Sequence, residues 1–162
     1  MNLIRAESKA KYLIGELQQY CDRIEIVGKI RRRKEPVSSI EVLLAPMSVR
    51  LFELMSKFTT MGYSGGLRPG NKKTMLLKDE LDEILTNIWF TTLDKWSVML
   101  FIKTGGLKSI QRIETLCKNK KWQFSVSEGT ILDEDSKRLT IEKEESIFEL
   151  LGIPYLKPSE RE

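Results

Sequence analysis

Two short β-branched runs, Ile24-Glu25-Ile26-Val27 and Ile40-Glu41-Val42-Leu43-Leu44, stand on either side of a glycine and a dense cluster of cations. Alternating apolar and polar residues of this kind predict strands, and Gly28 and Pro36 punctuate the connection between them. Lys29, Arg31, Arg32, Arg33 and Lys34 must therefore crowd into one link between two neighbouring elements. A glycine after a strand lets backbone N–H groups approach an anion closely, and adjacent guanidinium groups hold phosphate oxygens bidentately. The same charges also make an ordinary solvated surface, and on charge pattern alone both readings stand.

Around this core pattern the chain alternates helical and strand signals. Ile4, Tyr12, Leu13, Leu17 and Tyr20 predict an amphipathic helix within residues 3–21. Ser48 is placed to cap a helix over 49–61 that carries Leu51, Phe52, Met55 and Phe58 on one face. Gly62, Gly65, Gly66, Pro69 and Gly70 predict a turn-rich stretch, followed by strands at 74–77 and 84–91 with a polar turn at 78–83. Thr91 or Thr92 begins a helix, with Asp94 in its first turn, that runs to Lys103 and stops at Gly105-Gly106. A helix at 107–120, strand candidates at 122–126, 130–132 and 138–140, and a helix at 144–151 with Gly152 as its C-cap complete the chain. The class is α+β: a small mixed sheet with helices, then a smaller α/β piece.

Composition removes several chemistries. The 162 residues contain no histidine, which excludes the serine-hydrolase triad and most zinc enzymes. Two cysteines, Cys21 and Cys117, do not make a disulfide framework. No apolar run approaches the roughly 20 residues of a membrane span, and the N-terminus lacks the apolar stretch of a signal peptide. The expectation is an intracellular protein, cytoplasmic or nucleoid-associated, with no membrane partner. The net charge of +4 permits a nucleic-acid partner without establishing one.

The run VGKIRRRKEPVSSIEVLL resembles the catalytic palm of family X DNA polymerases, which carry strand, Gly-Ser, an arginine pair, then Asp-x-Asp opening the next strand. Gly28 matches the glycine, Lys29 replaces the serine, and Arg31 and Arg32 match the arginine pair. Ser39 and Glu41 fall on the two aspartates, and Asn87 on the third. Arg5-Ala6-Glu7 is similar to the start of the family's first palm helix. Lys103-Thr104-Gly105-Gly106 is similar to its Tyr-Phe-Thr-Gly-Ser segment, with Ile102 and Lys103 where the aromatics stand. SIFELLGIPYLKPSERE is similar to its closing thumb motif through Phe148, Leu151, Gly152, Pro154, Tyr155, Pro158, Arg161 and Glu162.

The resemblance implies a polymerase-beta-like nucleotidyltransferase palm over 1–103 and a small α/β thumb over 104–162. The family's lyase and fingers domains have no counterpart here, which implies a weak grip on DNA by this chain alone. Family members place two magnesium ions between carboxylates to stabilise attacking and leaving oxygens. Magnesium requires anionic oxygen ligands in near-octahedral geometry, and of the three positions Glu41 alone is anionic. The resemblance therefore implies a catalytically degenerate homologue in DNA repair or replication, with metal at Glu41 weak or absent. It retains DNA or nucleotide phosphates through Gly28, Lys29, Arg31, Arg32 and Arg33. Lys72, Lys73, Lys108 and Arg112 are further candidates for DNA contact, against solvated lysines and arginine at a surface.

Two other functions fit the same residues. One is a slow nucleotidyltransferase using Glu41 with magnesium or manganese. The other is a structural or regulatory subunit that binds a protein partner. Asp79, Asp82 and Glu83 stand as alternative metal ligands ahead of Asn87, beside the plainer reading of a polar turn. Trp89, Trp96 and Trp122 read as core rather than as stacking platforms.

Overall fold

The computed structural model describes residues 1–62, 72–78 and 83–162, with the backbone alone for 72–78 and Glu83. The expected turn at Gly65, Gly66, Pro69 and Gly70, and Asp79 and Asp82, lie outside the described residues. The chain divides into two compact units, Met1–Leu93 and Asp94–Glu162.

The first unit opens with α1 (Leu3–Leu17). The Asn2 side chain accepts from the Arg5 N–H at 2.9 Å and satisfies one of the orphan donors of the first turn. Ala6, Ala10, Leu13 and Leu17 form its buried stripe. Ile4 and Tyr12, expected on that stripe, point to water at 81% and 63% exposure. Two alanines on the inner face let the helix lie close on the sheet, and this sets the face against the larger side chains.

The sheet holds β1 (Cys21–Ile26), β2 (Ile40–Pro46), β3 (Lys72–Lys78) and β4 (Glu83–Phe90) in the order β1-β2-β4-β3. β1 runs antiparallel to β2, β2 parallel to β4, and β3 antiparallel to β4. β2 is therefore central and nearly continuously apolar, as a strand covered on both faces must be. Ile40, Val42 and Leu44 join Ile84 and Ile88 in one core cluster with α1 and with Leu54, Met55 and Phe58 of α3 (Leu51–Thr60). Phe52, expected in that cluster, is 80% exposed. Ser48 caps no α-helix: a 3-10 turn over Ser48–Arg50 precedes α3. The helix therefore starts two residues later than expected, and with Leu54, Met55 and Phe58 forming its buried stripe Phe52 lies more than about 100° around the axis from the centre of that stripe.

The basic link is not an open loop. Its first residues form a single helical turn, α2 (Gly28–Arg31).

The second unit contains α4 (Trp96–Thr104), α5 (Leu107–Asn119), the hairpin β5 (Gln123–Ser125) and β6 (Thr130–Leu132), and α6 (Glu144–Leu151). α4 is buried on all sides except at Lys103, as its nearly uncharged sequence requires. It packs against α6 and β6, with Phe101 edge-to-face on Phe148 at 5.7 Å. The division of the chain thus falls before α4, earlier than the expected boundary after 103. Gly105-Gly106 separates two helices of one unit instead of two domains. α6 ends at Gly152 in the left-handed conformation, as its position predicts. The expected strand at 138–140 is reduced to one bridge from Leu132 to Arg138, and the Arg138 guanidinium pairs with Asp94 at 2.6 Å.

Candidate functional site

The site is assembled where β1 ends and β2 begins. The Val27 N–H donates to the Glu41 carbonyl at 2.9 Å and fixes the two strands in register at this point. Gly28 follows with φ +65°, a conformation natural to glycine and costly to other residues. It also leaves room that no side chain could share. A Cβ placed on Gly28 would lie 2.2 Å from Glu41 Oε2 and 3.0 Å from its carboxyl carbon. The glycine and the glutamate are thus packed directly on each other.

In the parallel ladder Glu41 pairs with Asn87, and Leu43 with Trp89. Ser39, immediately before β2, lines the same cleft as Glu41. The three positions aligned with aspartates are therefore neighbours in the fold. Ser39 and Glu41 are half-buried, while Asn87 is buried. Gly28, Lys29, Arg32, Ser38, Ser39 and Glu41 line a cleft of about 190 Å³. Asn87 stands beside Glu41 in the ladder but does not line the cleft.

The cleft is lined by side chains of both charge signs. Lys29 and Arg32 face one carboxylate, that of Glu41. The Lys29 Nζ donates to the Pro36 carbonyl at 3.0 Å, which ties the link to the cleft and leaves two ammonium donors. Among the described residues no three His, Cys, Asp or Glu side chains converge to hold a metal. One carboxylate, a hydroxyl and a buried amide do not fit a pair of magnesium ions, which need several anionic oxygens between them. Glu83 is described by its backbone alone. It pairs with Lys78 in the ladder, roughly 13 Å along β4 from Asn87 at about 3.3 Å per residue.

Of the expected phosphate-binding set, Gly28, Lys29 and Arg32 meet in the cleft. Arg31 and Arg33 are directed elsewhere, to a second groove with Glu7, Lys11 and Glu25. Arg33 makes a 3.6 Å ion pair with Glu7. The reason is the helical turn: successive residues rotate by about 100° around its axis, so neighbouring arginines cannot share one face. Ser38, missed in the sequence, also lines the cleft; its adjacency to Ser39 was the available signal.

The remaining candidates lie apart. Lys72 and Lys73 pair in the ladder with Trp89 and Ile88, and their side chains are outside the described residues. Lys108 is exposed and bonds Glu162 at 3.1 Å. Arg112 lies one turn further along α5 on the same exposed face. Trp96 is buried, whereas Trp89 and Trp122 are half-buried.

Comparison with known proteins agrees with this geometry. Residues 99–162 match the family model of the DNA polymerase beta thumb. No curated protein sequence matches the chain. Among solved structures, Leishmania infantum polymerase beta, in a structure described as a ternary P/T complex, superposes with a TM-score of 0.80 at 15% identity. The match covers 100% of this chain and 76% of that one. At such identity the likeness is one of fold. The chain thus carries a polymerase-beta-like α+β fold, and its C-terminal segment, residues 99–162, matches the DNA polymerase beta thumb.

Proposed function

We propose that this chain is a family X polymerase-like protein that binds DNA phosphates and has lost, or nearly lost, nucleotidyl transfer. In this reading Met1–Leu93 serves as palm and Asp94–Glu162 as thumb. The observation that carries it is the charge of the cleft: two cations and one carboxylate where two divalent metals would need three aspartates. Losing such charge-stabilising groups costs orders of magnitude in rate. The same cleft suits a phosphate, because Lys29 and Arg32 line it and both cation types bind phosphate oxygens. A role in DNA repair or replication follows from that reading.

The test is primer extension on gapped DNA with magnesium and with manganese, beside Glu41→Ala. The expected result is no extension in either metal. Extension that disappears in Glu41→Ala would overturn the degenerate reading and make Glu41 a working ligand. That second outcome is favoured by one feature, the Glu41 carboxylate held against the Gly28 backbone at the cleft wall.

A further inference from the structure

The groove that takes Arg31 and Arg33 is separate from the cleft and about 410 Å³ in volume. Its floor is apolar: Ile14 of α1, Ile24 and Ile26 of β1, and Ile30 of α2. Its rim carries Lys11, Arg31 and Arg33 against Glu7 and Glu25. Neither nucleotidyl transfer nor phosphate binding in the cleft makes use of it.

The backbone beside it is also distinctive. β1 is an outer strand of the described sheet and pairs with β2 on one side. The bond from the Val27 N–H to the Glu41 carbonyl fixes which residues face that partner. Bonded and non-bonded pairs alternate along an antiparallel ladder. Val27 and Glu25 therefore direct their backbone groups toward β2, and Ile26 and Ile24 direct theirs to the open edge. The side chains of Ile24 and Ile26 point toward α1, into the groove. A strand added at this edge would bond to Ile24 and Ile26 and place its own same-face side chains over the isoleucine floor.

We infer that this edge is a docking site for an extended peptide of another protein, with an apolar side chain in the groove and carboxylates beside it. Main-chain pairing supplies affinity and the groove supplies selectivity, the mode of β-strand addition. The charge of the rim selects acidic over basic peptides. Cations outnumber carboxylates there, and the Arg33 side chain is 68% exposed and held by Glu7 at a loose 3.6 Å. Lys11 is exposed on the neighbouring helix. A bare edge strand with no charge on its rim would invite pairing without selection.

The experiment uses the whole chain and two labelled short peptides, one alternating isoleucine with glutamate and one alternating isoleucine with lysine. Binding is followed by anisotropy, and amide exchange is measured at Ile24 and Ile26. The acidic peptide is expected to bind, to slow exchange at those two amides, and to exceed the basic peptide by at least about tenfold in affinity. Lys11→Glu combined with Arg33→Glu, both at exposed positions, is expected to reverse that preference. Equal binding of both peptides, or binding without slowed exchange at Ile24 and Ile26, overturns the inference. Displacement of the peptide by an oligonucleotide would assign the groove to nucleic acid instead. Concentration-dependent protection of the same amides in the protein alone would assign it to a second copy of the chain. Either result refutes the proposal.

Discussion

Arg161 and Glu144 form a buried ion pair: Arg161 Nη1 donates to Glu144 Oε1 at 2.6 Å, with both side chains shielded from water. The remaining guanidinium donors go to the Leu156 carbonyl at 3.0 and 2.8 Å. The rings of Phe101, Phe148 and Tyr155 surround the charge at 5.2–5.6 Å. Each of the three guanidinium nitrogens has a hydrogen-bond partner, and pairing of this kind lets a buried charge be tolerated.

Removing one partner should therefore be worse than removing both. Arg161→Ala strands the Glu144 carboxylate in the interior and is expected to destabilise the second unit by about 3–5 kcal/mol. Arg161→Met with Glu144→Gln should lose markedly less. Urea unfolding followed by far-UV circular dichroism distinguishes the two. Equal losses would show that the pair acts by packing alone.

Gly28 is the hinge of the cleft wall. Gly28→Ala demands a left-handed alanine at about 1–2 kcal/mol, and its methyl displaces the Glu41 carboxylate. Thermal unfolding reads the first effect, and a crystal structure of the variant reads the second. An unchanged melting temperature would show that Gly28 is not held in that conformation.

The proposed phosphate binding in the cleft is tested by its dependence on salt. Arg32→Gln is expected to weaken DNA binding uniformly across sequences. It should reduce the slope of log K against log salt by about 0.7–0.9, the release of one counterion's worth of contact. Arg31→Gln, outside the cleft, should leave that slope unchanged. Titration of labelled gapped DNA at several salt concentrations measures both.

The thiols supply a test at alkaline pH. Burial, helped by the charge of Asp22, pushes Cys21 from 9.0 to about 12. Burial, partly opposed by Lys120, pushes Cys117 from 9.0 to about 11. The folded state thus favours the neutral thiol. Its contribution to stability is complete below about pH 9, where the unfolded thiols titrate, and is lost as pH rises toward 11–12. Stability should fall over that window and fall less in Cys21→Ser with Cys117→Ser. Near pH 8 both thiols should resist alkylation in the native protein and react in denaturant.

Much of this was legible in the sequence, for local reasons. The Ile24–Val27 and Ile40–Leu44 runs carry the period of two that makes strands. Gly152 and Pro154 punctuate the last helix, and Arg161 belongs to a motif long enough to be specific. What failed depended on partners distant in sequence or on a change of period. Ile4 and Tyr12 fit an apolar stripe until Ala6 and Ala10 claimed the inner face. Phe52 likewise fit the stripe of its own helix until Leu54 claimed the inner face. The arginine cluster looked like one site because it is contiguous. A single helical turn split it, sending Arg32 to the cleft and Arg31 and Arg33 to the groove.

On the proposed reading, Ser39 and Glu41 in the cleft and Asn87 beside Glu41 in the ladder carry too little charge between them to hold a pair of divalent metals. The most direct measurement is manganese binding by electron paramagnetic resonance, comparing the natural chain with Ser39→Asp, Glu41→Asp and Asn87→Asp combined. The account expects no saturable site in the natural chain at submillimolar manganese. It expects one in the variant at least about 100-fold tighter, from the gain of two carboxylates at about 1.4 kcal/mol per tenfold. Equal binding by the two proteins would contradict it.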